Sequence, residues 1–245
     1  MGAIRKICAV VLAGLLCMAA LLIWQRYGNR ISKTDFIADF DMDYSDNESL
    51  AATALNIDET DTPATQKTDS SALSHSFYTK LADAAHARTR ERVRYVRAYV
   101  SIDYPGGDVP ANTGVCTDVV IRSYRKMGID LQVKVHQDMK QNFHLYPNIW
   151  GLKKPDTNID HRRVPNLMVF FSRFGKTLPK SKNGSDYQPG DIVCWDLGRG
   201  MTHIAIVANK KGPSGNYMII HNIGAGPKMD DRLFAWKIIG HFKYQ

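Results

Sequence analysis

The order of periodicities along the chain limits its fold more than any single motif. Helical spacing governs the stretch from Leu73 to Phe174, and β-branched, alternating runs take over after Asp191. With Ser74 or Ser76 as cap, Phe77, Leu81, Ala85 and Arg88 predict a helix over about 74–90. "VRYVRAYV" (93–100) reads as extended, and "DYPGGDVPANTG" (103–114) as a turn-rich loop. A second helix starts near Val115. Val119, Ser123 and Met127 lie along one face with Val120 and Tyr124, bases fill the last turns, and Gly128 stops it. Residues 134–143 and 165–174 predict two more helices, the latter with Pro165 near its start and Gly175 after its end. Strands follow at 191–196, 203–209 and 217–223, separated by the hairpin signals "LGRG" and "KKGPSG", with a last strand around 235–243. Helices first and neighbouring strands afterwards predict an α+β domain, with helices packed on an antiparallel sheet.

Charge divides the chain. Residues 1–34 hold five bases and no acid, and 35–70 hold ten acids and one base. Residues 71–245 are left with a net +12 within the overall +8. From Ile7 to Trp24 the chain is apolar or small without a charge or a proline, about the length that crosses a hydrocarbon core of roughly 30 Å. We read 1–34 as an uncleaved signal anchor that leaves the rest of the chain on the periplasmic side of an inner membrane. The alternative is a cleaved signal peptide, for which Arg5 and Lys6 form a proper n-region. Residues 35–72 have too little apolar content to fold alone and read as an acidic flexible linker. That leaves one domain, 73–245. Its basic balance suits an anionic partner, and export argues against nucleic acid and for the cell envelope.

Cys116 falls in the first turn of its helix, where unpaired backbone N–H groups and the helix dipole favour a thiolate and can hold an oxyanion. His203 opens one strand after a hairpin, and His221 lies on the next, so antiparallel pairing makes them cross-strand neighbours. A thiol at a helix start, a base on a strand and an orienting group beside it form a Cys-His-His triad for nucleophilic catalysis. Two other readings stay open: a disulfide between Cys116 and Cys194, and a Cys-His-His metal site, although no spacing here demands a metal.

"GGDVPANTGVCTDVVIRSYRKMGIDL", "QPGDIVCWD", "THIAIVAN" and "MIIHNIGAG" resemble the papain-like bacterial cell-wall cysteine peptidases of the NlpC type. More narrowly, 73–245 resembles a little-characterised proteobacterial envelope family of unknown function related to them. The resemblance implies a papain-like fold and a peptidase or amidase of peptidoglycan peptides that needs no cofactor. It carries the catalytic positions onto Cys116, His203 and His221. The chain departs from the peptidase pattern around the cysteine, where Val115 precedes and Thr117–Asp118 follow. A catalytically silent wall- or partner-binding module that keeps the fold is the second reading.

Tyr104, ahead of Gly106–Gly107, is the candidate for the tyrosine that lines the peptidase site, one residue out of register. Asp118 reads first as an acid suited to a helix start. The loop 153–165 gathers His161, Arg162 and Arg163. It is either a solvated charged loop or a grip on a substrate carboxylate, for which a planar guanidinium is suited.

Overall fold

The structure, a computed structural model, describes residues 67–245. The expected anchor at 1–34, and the linker as far as residue 66, lie outside the described residues. Among the described residues no helix is long and apolar enough to cross a membrane.

Helix α1 (Lys67–Arg88) begins earlier than its cap signal suggested. No Gly or Pro interrupts the chain between Pro63 and Pro105, so nothing local stops the helix from extending toward its N-terminus. Its end is marked by Thr89, whose hydroxyl donates to the His86 carbonyl. The run expected to be extended forms only β1 (Arg94–Tyr95), paired in parallel with β2 (Thr113–Gly114). Helix α2 (Cys116–Lys126) follows at once. Helix α3 (Leu131–Asn142) starts three residues before the expected position because Asp130 caps it, accepting from the Gln132 N–H at 2.9 Å. Helix α4 (Val164–Phe174) has Pro165 in its first turn, as the sequence indicated.

The chain then builds a six-stranded sheet from β3 (Lys176–Thr177), β4 (Ile192–Asp196), β5 (Thr202–Lys211), β6 (Tyr217–Asn222), β7 (Pro227–Asp230) and β8 (Lys237–Lys243). The order is β3-β8-β4-β5-β6-β7, antiparallel throughout. The architecture is therefore mixed α+β, helices against an antiparallel sheet. Both edge strands escaped the sequence reading: β3 is two residues long, and β7 opens on Pro227, which only an edge or strand start tolerates.

Alternation along the strands sends side chains to two separate cores. Ile192, Cys194, Ile204, Ile206 and Ile220 face the helices and pack with Cys116, Val120, Tyr124, Leu167 and Phe171. Val193, Trp195, Ala205, Val207 and Ile219 face the other way and are closed off by Tyr187 and Leu233. Each fully buried large apolar side chain contributes about 1.5–3 kcal/mol, so the helix-facing layer dominates stability. The C-terminus is fixed by the Tyr124 hydroxyl, which donates to the Tyr244 carbonyl at 3.0 Å.

Candidate active site

The first turn of α2 is built by Asp118. Its Oδ2 accepts from the Val115 N–H at 2.6 Å, and its two oxygens accept from the Arg162 Nε and Nη2 at 2.8 and 2.9 Å. The Thr117 hydroxyl adds a bond to the Arg162 carbonyl at 3.1 Å. This doubly bonded pair is buried and fixes where the helix starts, and hence where Cys116 sits. Cys116 is 6% exposed, and its sulfur lies among the N–H groups of Ile204, Thr117 and Cys116 itself. Burial pushes the thiol up to about 11, and those N–H groups pull only partly the other way. The group at rest is a neutral thiol.

The histidines occupy the other side of the sheet. His203, on β5, shares a face with Ala205 and Val207, whereas Ile204 points to the helices. Cys116 and His203 thus flank the same 203–204 peptide from opposite faces. His203 Nε2 lies 2.8 Å from His221 Nδ1. His221 Nε2 lies 3.0 Å from Asp230 Oδ2 on β7, and Lys228 Nζ approaches the same oxygen at 2.6 Å. Trp195 and Trp236 pack on the rings, with centroids 5.9 Å from His203. This enclosure lowers His203 to about 3, mainly by desolvation and secondly by His221. Burial also lowers His221, against the pull of Asp230. Asp230 is held below the usual carboxylate range: burial opposes its charge, but the bonds from Lys228 and His221 outweigh that.

The ionised carboxylate decides the tautomers. Asp230 only accepts, so His221 carries its proton on Nε2 and presents a lone pair at Nδ1. That lone pair takes the N–H from His203 Nε2, which leaves the basic lone pair of His203 on Nδ1. Among the described residues Nδ1 has no hydrogen-bond partner, and no hydrogen bond joins the thiol to either ring. The arrangement is an acid–imidazole–imidazole relay with a thiol on the far side of one peptide.

Asp230 went unread in the sequence because β7 went unread. The short alternation "PKMD" after Gly226 was its signal, with Lys228 and Asp230 on one face of the strand.

The candidate binding residues are placed apart. Arg162 spends its guanidinium on Asp118, which leaves no fork free for a carboxylate. His161 is buried beside that pair and lowered to about 4, chiefly by desolvation. Tyr104 packs edge-on against His136 at 5.0 Å. Tyr95, on β1, has its phenol raised chiefly by burial. Arg163 lies 4.0 Å over the Trp150 ring and 3.1 Å from Asp160. Cys116 and Cys194 are both free thiols, and no cluster of three or more metal-binding side chains occurs among the described residues.

The chain is similar to the uncharacterised protein YijF of Escherichia coli (strain K12), 53% identical over 164 residues, which are 67% of this chain and 80% of that one. A solved structure, NlpC1 from Trichomonas vaginalis, aligns with 68% of this chain and 44% of its own length, at 14% identity and a TM-score of 0.37. The chain thus spans under half the length of that structure. Residues 82–244 match the family described as a domain of unknown function (DUF1287), and the chain belongs to that family.

Proposed function

We propose that this chain is a thiol hydrolase of cell-wall peptides, a peptidase or amidase with the papain-like architecture of the NlpC type. The observation that carries the reading is the bonded series Asp230–His221–His203, which leaves one imidazole lone pair unspent, with Cys116 at a helix start across the 203–204 peptide. In the proposed step the Cys116 sulfur bonds to an amide carbonyl carbon while its proton passes to His203 Nδ1, a transfer for which thiol and ring must first come together from the two sides of the 203–204 peptide. The N–H groups that line the sulfur hold the oxyanion. The C–N bond then breaks, His203 returns the proton to the leaving amine, and water hydrolyses the thioester. His221 and Asp230 hold the tautomer and stabilise the imidazolium. The thiol and imidazole are both neutral at rest, so the proton moves with the attack and not before it. Peptidoglycan as substrate, and a periplasmic site tethered by the 7–24 segment, rest on the sequence of the N-terminus and the basic balance of the domain.

The burial of Cys116 favours a second reading, a wall-binding module that retains the fold without turnover. Purified peptidoglycan incubated with the full chain, Cys116→Ala and His203→Ala separates the two. The hydrolase reading requires new muropeptides from the native chain alone. Equal muropeptide profiles from folded, reduced protein and both variants, with wall binding retained, would establish the silent module.

A further inference from the structure

The chain on either side of β1 concentrates unbalanced positive charge. Arg90, Arg92, Arg94 and Arg97 are all exposed, and none of them forms an ion pair among the described residues. Glu91, the one acid between Thr89 and Tyr99, is already paired with Arg88. Alternation buries Val93 and half-buries Tyr95, which sends Arg92 and Arg94 outward together, about 7 Å apart along the strand direction. Arg97 returns to the Tyr95 side, its guanidinium 5.5 Å from the ring centroid. Exposed guanidinium groups with no local anion attract a partner that brings several carboxylates or phosphates.

The backbone narrows the choice. Arg94 and Val96 donate to the Asn112 and Gly114 carbonyls at 2.8 and 3.4 Å. In a parallel pair the residue between two such donors turns its own N–H and C=O the other way. Those two groups of Tyr95 have no backbone partner among the described residues, because β1 pairs with β2 alone. An open edge accepts an added strand, and main-chain pairing recognises a peptide, where a lipid or a nucleic acid offers nothing equivalent. Tyr95 pairs with Gly114, two residues ahead of Cys116, so this edge runs up to the start of α2.

We infer that β1 docks an extended acidic peptide. One peptide residue pairs with the Tyr95 N–H and C=O, and the carboxylates on either side of it meet Arg94 on the outer face and Arg97 on the Tyr95 face. Presentation of that peptide to Cys116 rests on the hydrolase reading; the docking itself does not.

The test is fluorescence anisotropy of the full chain carrying Cys116→Ala, in non-ionic detergent. The probe is a fluorescein-labelled octapeptide of alternating glutamate and alanine, beside the same peptide with glutamine for glutamate. The acidic peptide is expected to bind at least tenfold more tightly than the glutamine form. Arg94→Gln with Arg97→Gln removes that preference without altering the thermal melt. Lys180→Gln with Lys182→Gln, which removes the same charge from the exposed loop after edge strand β3, changes affinity less than twofold. Two N-methylated versions, one blocking the alanine nitrogens and one the glutamate nitrogens, probe the edge, and at least one of them binds tenfold more weakly. No binding at about 1 mM peptide, or equal losses in the arginine and lysine variants, would overturn the inference. Full tolerance of both N-methylated peptides would overturn it too and leave a surface that attracts any polyanion. Because the Cys116→Ala chain cannot turn over substrate, failure here leaves the hydrolase reading untouched.

Discussion

Asp230 reaches across from edge strand β7 to meet His221 at 3.0 Å, and through it sets the tautomer of His203 on the next strand but one. Removing that carboxylate frees His221 to turn its N–H toward His203, which then loses its free lone pair at Nδ1. Asp230→Ala is expected to lower kcat by about 10²-fold or more with KM nearly unchanged, because a wrong tautomer removes the base and not the binding. A fall in kcat/KM that lies wholly in KM would contradict the orienting role.

The raised thiol predicts slow modification. Alkylation of Cys116 by iodoacetamide in the folded chain is expected to be slow at pH 7 and to climb through the range up to about 11, the position to which burial pushes it. A thiolate–imidazolium pair would give a rate plateau extending to acid pH, and that profile would show the proton transferred before attack.

His203 is lowered to about 3, so its neutral, basic form persists well into acid. The acid limb of kcat/KM is therefore expected below pH 5, beneath the ordinary imidazole range. A limb centred near 6.5 would mean that the ring is solvated during catalysis.

Arg162 and Asp118 are both buried and bonded to each other at two points. Arg162→Ala leaves a carboxylate uncompensated beside the thiol and is expected to cost about 3–5 kcal/mol in urea unfolding. Loss of under about 1 kcal/mol would show that water replaces the guanidinium, and that Arg162 is free for other work.

Asp138 reports on acid stability. Burial opposes its charge, yet bonds from Arg173, Tyr146 and Asn142 hold it below its ordinary value of 3.8. A depressed folded pKa contributes stability that is present above 3.8 and is lost as pH falls through the lower folded value. Asp138→Asn is expected to lower Tm at pH 7 and to narrow the gap to the parent as pH drops below 3.8. Equal Tm differences at both pH values would place the stabilisation elsewhere.

The helices around Cys116 and the strands bearing His203 and His221 were legible because their periodicities are long, and because Gly128, Pro165 and the two glycine-rich hairpins punctuate them. Cys116 at a helix start and two neighbouring histidines followed from that alone. What escaped has a common cause. β7 is four residues long and opens on a proline, so no period-two signal could build up, and Asp230 was lost with it. Arg162 and Asp118, 44 residues apart, carry no local mark of being partners, since long-range ion pairing leaves no spacing to read. Tyr95 lies in a run whose pattern reads only as extended, and its place in the fold depends on the two-residue parallel pairing of β1 with β2.

In the proposed hydrolase mechanism Cys116 forms a covalent acyl intermediate with the aid of His203. The most direct measurement is the intact mass of the full chain, acid-quenched during incubation with purified peptidoglycan fragments, followed by mapping of the modified residue. The proposed mechanism requires a thioester adduct on Cys116 in the native chain and none in His203→Ala. Cleaved fragments that still appear with Cys116→Ala, or an adduct whose formation does not depend on His203, would contradict it.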